Sequence, residues 1–188
     1  SELEKLVEEA KRLSDKNEED LRRSSRESRE SLKENKERIE RAVKRLADLV
    51  RDVKEKIKRT ESKEDLKRLV DELRERLKRL LEKVRKSSEE HHRENERLLR
   101  ESTKSSEDVV RRLDEIAEEV ARRSTTEEMK ERLERLRDTL KKLKERNKEV
   151  LREDRETVTD SSRRSEEVVR EAEERVERLL REVEEAAR

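Results

Sequence analysis

Few side chains in this sequence could do chemistry, and most of them sit near the middle of the chain. His91 and His92 are the only histidines, and there is no cysteine. On a helix, neighbouring residues point about 100° apart, so these two rings cannot readily chelate one ion together. Glu89 and His92 do form a Glu-x-x-His pair. Di-metal bundles carry that motif on two helices and supply glutamates from two others. Here it occurs once, so the histidines read as one member of a buried polar layer, His91, and one rim residue, His92. Asp154 offers a carboxylate, and Ser28 or Ser161 a hydroxyl nucleophile. Yet no second carboxylate, aligned His–Asp pair or glycine-rich turn completes a catalytic set. The expectation is therefore no enzyme, no metal and no cofactor. A buried His91 would couple its layer to pH, although one pKa unit is worth only about 1.36 kcal/mol. Arg22-Arg23-Ser24-Ser25 has the look of a basic phosphorylation context, but a solvated charged face accounts for it.

These residues lie on one periodic stripe. It runs Leu3, Leu6, Ala10, Leu13, Asn17, Leu21, Ser25, Ser28, Leu32, Asn35, Ile39, Ala42, Leu46, Val50, Val53, Ile57. A second runs from Leu66 through Leu77, Val84, Ser88, His91, Asn95, Leu98, Ser102 and Ser106 to Val120. A third runs from Met129 through Leu140, Asn147, Val150, Asp154, Val158, Ser161, Ser165 and Ala172 to Ala186. The repeat is about 3.6 residues, the period of a straight α-helix rather than the 3.5 that enforces a left-handed supercoil. Glu, Lys, Arg and Leu, all strong helix formers, dominate the chain. Charged residues make up 58% of it and hydrophobic residues 27%, which without that periodicity would read as disorder.

Polar caps mark the breaks. Ser62 with Asp65, Thr125 with Glu128, and Ser1 with Glu4 have capping-box spacing. Helices are expected at about 2–60, 63–123 and 126–187, each roughly 90 Å long at 1.5 Å per residue. Short loops make successive helices antiparallel. The fold class is all-α: an elongated up-down-up antiparallel three-helix bundle, coiled-coil-like with nearly straight helices, spanning 1–188 as one domain. On its surface Glu34–Arg38, Glu37–Arg41, Glu40–Lys44, Glu174–Arg178 and Glu177–Arg181 have the spacing of ion pairs, each worth about 0.2–0.5 kcal/mol.

The stripes are apolar at both ends and polar between. The candidate buried polar network is Asn17, Ser25, Ser28, Asn35, Ser88, His91, Asn95, Ser102, Ser106, Asn147, Asp154, Ser161 and Ser165. With turns centred between 61 and 62 and between 124 and 125, Ser28 falls opposite Asn95, and Asn95 opposite Asp154. Asn17 falls opposite Ser106, Ser102 opposite Asn147, Asn35 opposite Ser88, and Ser88 opposite Ser161. His91 lies level with Leu32 and Val158. A polar side chain left unpaired in a core costs about 1–3 kcal/mol, so such levels must satisfy one another. Their best-attested use is to fix register and partner choice.

Gly, Pro, Cys, Phe, Trp and Tyr are all absent from the 188 residues. That restricted alphabet, the capping boxes, the Glu/Lys/Arg surface and the Leu/Val/Ile core with Ser/Asn/His layers resemble de novo designed helical bundles with buried hydrogen-bond networks. The resemblance covers the whole chain as a style, and departs from it in having loops without glycine. It implies a structural scaffold with no natural biochemical function. An alternative is a designed interaction module that self-associates or docks an additional helix. Apolar doublets such as Leu80-Leu81, Leu98-Leu99, Val109-Val110, Val168-Val169 and Leu179-Leu180 suit either. A natural spectrin-like rod would bring aromatics and a repeat of about a hundred residues, and neither is present. The net charge is +1 with interspersed signs, which disfavours nucleic-acid binding. No apolar run exceeds two residues, so no membrane span or targeting signal is expected. The expected molecule is soluble and monomeric, with no small-molecule ligand; its localisation is unknown.

Overall fold

A computed structural model describes residues 2–188. Three α-helices make up the described chain: α1 (Glu2–Arg59), α2 (Lys63–Arg123) and α3 (Glu127–Ala186). The fold is a three-helix bundle. Against the expected 2–60 and 126–187, α1 ends at Arg59 and α3 runs Glu127–Ala186. Ser1, expected to cap the first helix, lies outside the described residues.

Both loops turn without glycine because hydroxyls do its work. The Thr60 hydroxyl donates to the Lys56 carbonyl at 2.7 Å, and the Ser124 hydroxyl to the Val120 carbonyl at 2.7 Å. Each satisfies a carbonyl that the last helical turn leaves unpaired. The Thr60 amide also reaches the Ile57 carbonyl, tightening that turn. Among the described residues none has a positive φ. At the start of α2, Ser62 Oγ accepts from the Asp65 amide at 3.4 Å, as its spacing predicts. The start of α3 differs: the cap is Thr126, whose Oγ1 accepts from the Met129 amide at 3.2 Å. Thr125 and Thr126 are chemically equivalent caps, and the chain uses the later one.

The chain divides into two compact units. One combines Ser1–Arg29 with Asn95–Asp160, the other Glu30–Glu94 with Ser161–Arg188. In the first unit Leu3, Ala10, Leu113, Ile116, Val120 and Leu140 form the buried apolar cluster. In the second, Leu46, Val50, Val53, Ile57, Val70, Leu73, Leu77, Val176, Leu179 and Val183 form one cluster, and Ile39, Val43, Val84 and Ala172 another. The doublets widen these faces inward. Leu80, Leu81, Val168, Val169 and Leu180 all pack, half-buried, against the second unit's clusters. Among the described residues no large hydrophobic side chain is exposed.

Cross-helix ion pairs join the helices of each unit. Arg112 forks onto Glu9 at 2.9 and 3.0 Å, and these hydrogen bonds hold the Glu9 carboxyl below its ordinary value. In the same unit Arg146 reaches Glu18 and Arg132 reaches Glu4, both at 2.7 Å. In the other unit Lys54 reaches Glu182 at 2.8 Å, Arg74 reaches Glu184 at 2.7 Å and Arg85 reaches Glu173 at 2.9 Å. Of the same-helix pairs expected from spacing, Glu34–Arg38 closes at 3.8 Å, while Glu40 lies 4.0 Å from Lys36 instead. Such exposed pairs hold little energy, so their choice of partner is loosely fixed.

Buried polar layers as the candidate functional site

Helical periodicity brings polar side chains of all three helices inward in both units. In the first unit the densest layer centres on Asn17, which is 2% exposed. Its Nδ2 donates to Ser106 Oγ at 3.1 Å and to Asn147 Oδ1. Its Oδ1 accepts from Ser105 Oγ at 2.6 Å, and Asn147 Nδ2 donates to the Ser106 carbonyl at 3.3 Å. One amide thus ties α1 to α2 and α3 and uses donor and acceptor together.

The next layer holds a buried carboxylate. Asp154, 2% exposed, accepts from Ser25 Oγ at 2.7 Å and Ser24 Oγ at 3.3 Å. Ser102 Oγ donates in turn to Ser24 Oγ at 3.3 Å, giving a relay from α2 through α1 to α3. Ser28 Oγ donates to Asn95 Oδ1 at 2.8 Å, and both residues are buried. Shallow grooves flank this region: one of about 400 Å³ includes Ser24, Leu98 and Ser102, and one of about 510 Å³ includes Ser25, Asp154 and Thr157.

The second unit uses different chemistry. His91, 4% exposed, lies between two hydroxyls: Ser31 Oγ is 2.8 Å from Nδ1 and Ser161 Oγ 3.2 Å from Nε2. Ser88 Oγ lies 3.2 Å from Ser165 Oγ, and Ser87 Oγ donates to Asn35 Oδ1. Asn35 Nδ2 is the single buried side-chain polar atom among the described residues without a partner. Glu89 and His92 do not converge. Glu89 pairs with Arg93 at 3.7 Å, and His92 lies 3.5 Å from Glu166 on the rim.

Of the thirteen residues the stripe singles out, all but Ser25 are buried; Ser25 is half-buried and its neighbour Ser24 takes the core position. The pairings Asn17–Ser106 and Ser28–Asn95 are those that the loop midpoints place together. Four others change. Asp154 takes its hydrogen bonds from Ser24 and Ser25 rather than from Asn95. Asn147 meets Ser106 and Asn17 rather than Ser102. Ser88 meets Ser165 rather than Ser161, and Asn35 meets Ser87 rather than Ser88. His91 meets Ser31 and Ser161 rather than Leu32 and Val158. Most of these differences are one shift: α3 sits one helical turn from the register that the second loop's midpoint implies. Inward positions recur only every 3.6 residues, so a loop midpoint known to a residue or two cannot choose between adjacent turns.

Sequence reasoning missed Ser24, Ser31, Ser87 and Ser105. The available signal was the serine doublet: Ser24-Ser25, Ser87-Ser88 and Ser105-Ser106 each put a second hydroxyl on the face. A helix with two neighbours needs a face wider than one residue.

No protein-family model matches the chain, and no curated protein sequence does. Among solved structures it is similar to one described as a "Computationally designed three helix bundle". The two share a TM-score of 0.53 and 17% sequence identity over 99% of this chain and 89% of that one. At that identity the likeness concerns the fold, and it is the fold that the three helices show. No helix among the described residues is long and apolar enough to cross a membrane.

Proposed function

We propose that the chain is a designed scaffold: one three-helix domain over 1–188, monomeric, with no natural biochemical activity, whose register the buried polar layers specify. One observation carries the reading. Polar atoms from three helices meet each other in the core, with one buried atom, Asn35 Nδ2, left over among those described. Buried polar layers rarely add net stability over apolar packing, so their value lies in the arrangements they disfavour. A slip of one turn would place Asn17 or Asn95 against leucine or valine and leave its amide unpaired. The restricted alphabet and the designed bundle of similar fold support the design origin.

The test replaces one whole layer by Asn17→Leu, Ser106→Ala and Asn147→Leu together. Circular dichroism, light scattering and two-dimensional NMR then read helicity, mass and uniqueness. Helix content and thermal stability are expected to hold or rise, while the amide spectrum broadens or doubles as registers mix, or the mass becomes a multiple. A monomeric variant with one sharp set of resonances would remove the specifying role. A multiple mass for the unsubstituted chain would instead favour the interaction module.

A further inference from the structure

We infer that His91 makes the unit formed by Glu30–Glu94 and Ser161–Arg188 loosen in mild acid, while the unit formed by Ser1–Arg29 and Asn95–Asp160 keeps its structure. The inference is independent of the scaffold's purpose and rests on where the ring sits. His91 is enclosed between Ser31 of α1 and Ser161 of α3, and both of its ring nitrogens are engaged. A neutral ring fits this arrangement with one nitrogen donating and the other accepting. A protonated ring must donate from both, which reverses a hydroxyl and leaves a cation in the core. Its ring nitrogens meet the Ser31 hydroxyl of α1 and the Ser161 hydroxyl of α3, and the Ser161 backbone also bears on the ring and favours the cation. The charges that bear on it lie on its own helix: His92 disfavours the cation and Glu94 favours it.

The sign follows from burial. Burial first, and His92 second, hold the His91 imidazole below its ordinary value of 6.5, against a hydrogen bond with the Ser161 backbone and the Glu94 charge. An unfolded chain takes up its proton near the ordinary value, whereas the folded unit resists it. His91's contribution to stability is therefore complete above pH 6.5 and is lost as pH falls from there toward the lower folded value. The other unit has no histidine, because both histidines lie between 30 and 94. Its buried carboxylate, Asp154, is held by hydrogen bonds from Ser24 and Ser25.

Amide hydrogen exchange between pH 7.5 and 5.5, corrected for intrinsic rates, tests this. Protection around Ser31, His91 and Ser161 is expected to fall by up to about tenfold per pH unit below 6.5. Protection around Asn17, Ser106 and Asn147 should hold. His91→Gln should abolish the acid response and His92→Gln should keep it. An equal response in His91→Gln, or equal loosening around Asn17, would overturn the inference. If His91→Gln does not fold, the unsubstituted chain still decides it: NMR titration must place the His91 midpoint below 6.5, and a midpoint at or above 6.5 would refute it.

Discussion

Asn17→Ala is expected to lower stability by about 2–4 kcal/mol, although it removes only a small polar side chain. Alanine cannot donate to Asn147 Oδ1 or accept from Ser105, and the space it vacates lies where water has little access. Ser105 and Ser106 have an escape, because a helical serine can turn its hydroxyl to its own backbone. Asn147 has none, since its carbonyl faces α1 and accepts from Asn17 there. The loss should therefore couple the two residues. Adding Asn147→Val to Asn17→Ala should restore about 1–2 kcal/mol of the deficit, a coupling that independent sites would not show. Urea denaturation of the two single variants and the double variant measures it. Strict additivity would mean that the Asn17–Asn147 bond carries no weight.

Leu113→Ala should cost about as much or more, about 2–5 kcal/mol, for a different reason. Leu113 is 1% exposed among Leu3, Ala10, Ile116, Val120 and Leu140. The cluster has six buried members, and its unit also carries most of the polar layers. The unit's other buried apolar residues, such as Leu21, Leu98, Val150 and Val158, lie outside that cluster. Leu73→Ala in the second unit removes an equally buried leucine from a ten-member cluster. The two variants should therefore differ in place: hydrogen exchange should rise first around Leu113 in one and around Leu73 in the other. A uniform rise throughout the chain in both would contradict two compact units with separate cores.

The sequence makes the helices plain, since nothing in it but the hydroxyl-rich loops interrupts a 3.6-residue stripe. Asn17, Asn35, Asn95 and Asn147 were legible for the same reason: an asparagine within a leucine stripe has no reason to be there unless it is paired. The serines were less so. At Ser24-Ser25 the two side chains diverge by about 100°, and either can lie at the edge of a face that wide. Ser24 became the core residue and Ser25 the half-buried one, yet both reach Asp154. Ser31 was hidden beside Leu32, an apolar residue that satisfied the pattern and drew the stripe past the true partner of His91. The register of α3 was legible only to within a turn. Loop length constrains it to a few ångströms, whereas side-chain pairing chooses between turns, and Ser88, Ser161 and Ser165 offer chemically equal choices. Glycine's absence was the clearest oddity in the sequence, and Thr60 and Ser124, the first residues past each helix, resolve it through their hydroxyls.

The most direct test of the central claim uses the chain's lack of cysteine. Ser88→Cys with Ser165→Cys places two thiols where the parent hydroxyls lie 3.2 Å apart. Ser88→Cys with Ser161→Cys places them one turn off, in the register of the loop midpoints. Under mild oxidation, with intramolecular disulfide read by mass spectrometry, the first pair should close fast and nearly completely and the second slowly or not at all. Preferential closure of Ser88→Cys with Ser161→Cys would mean that the polar layers do not meet as described.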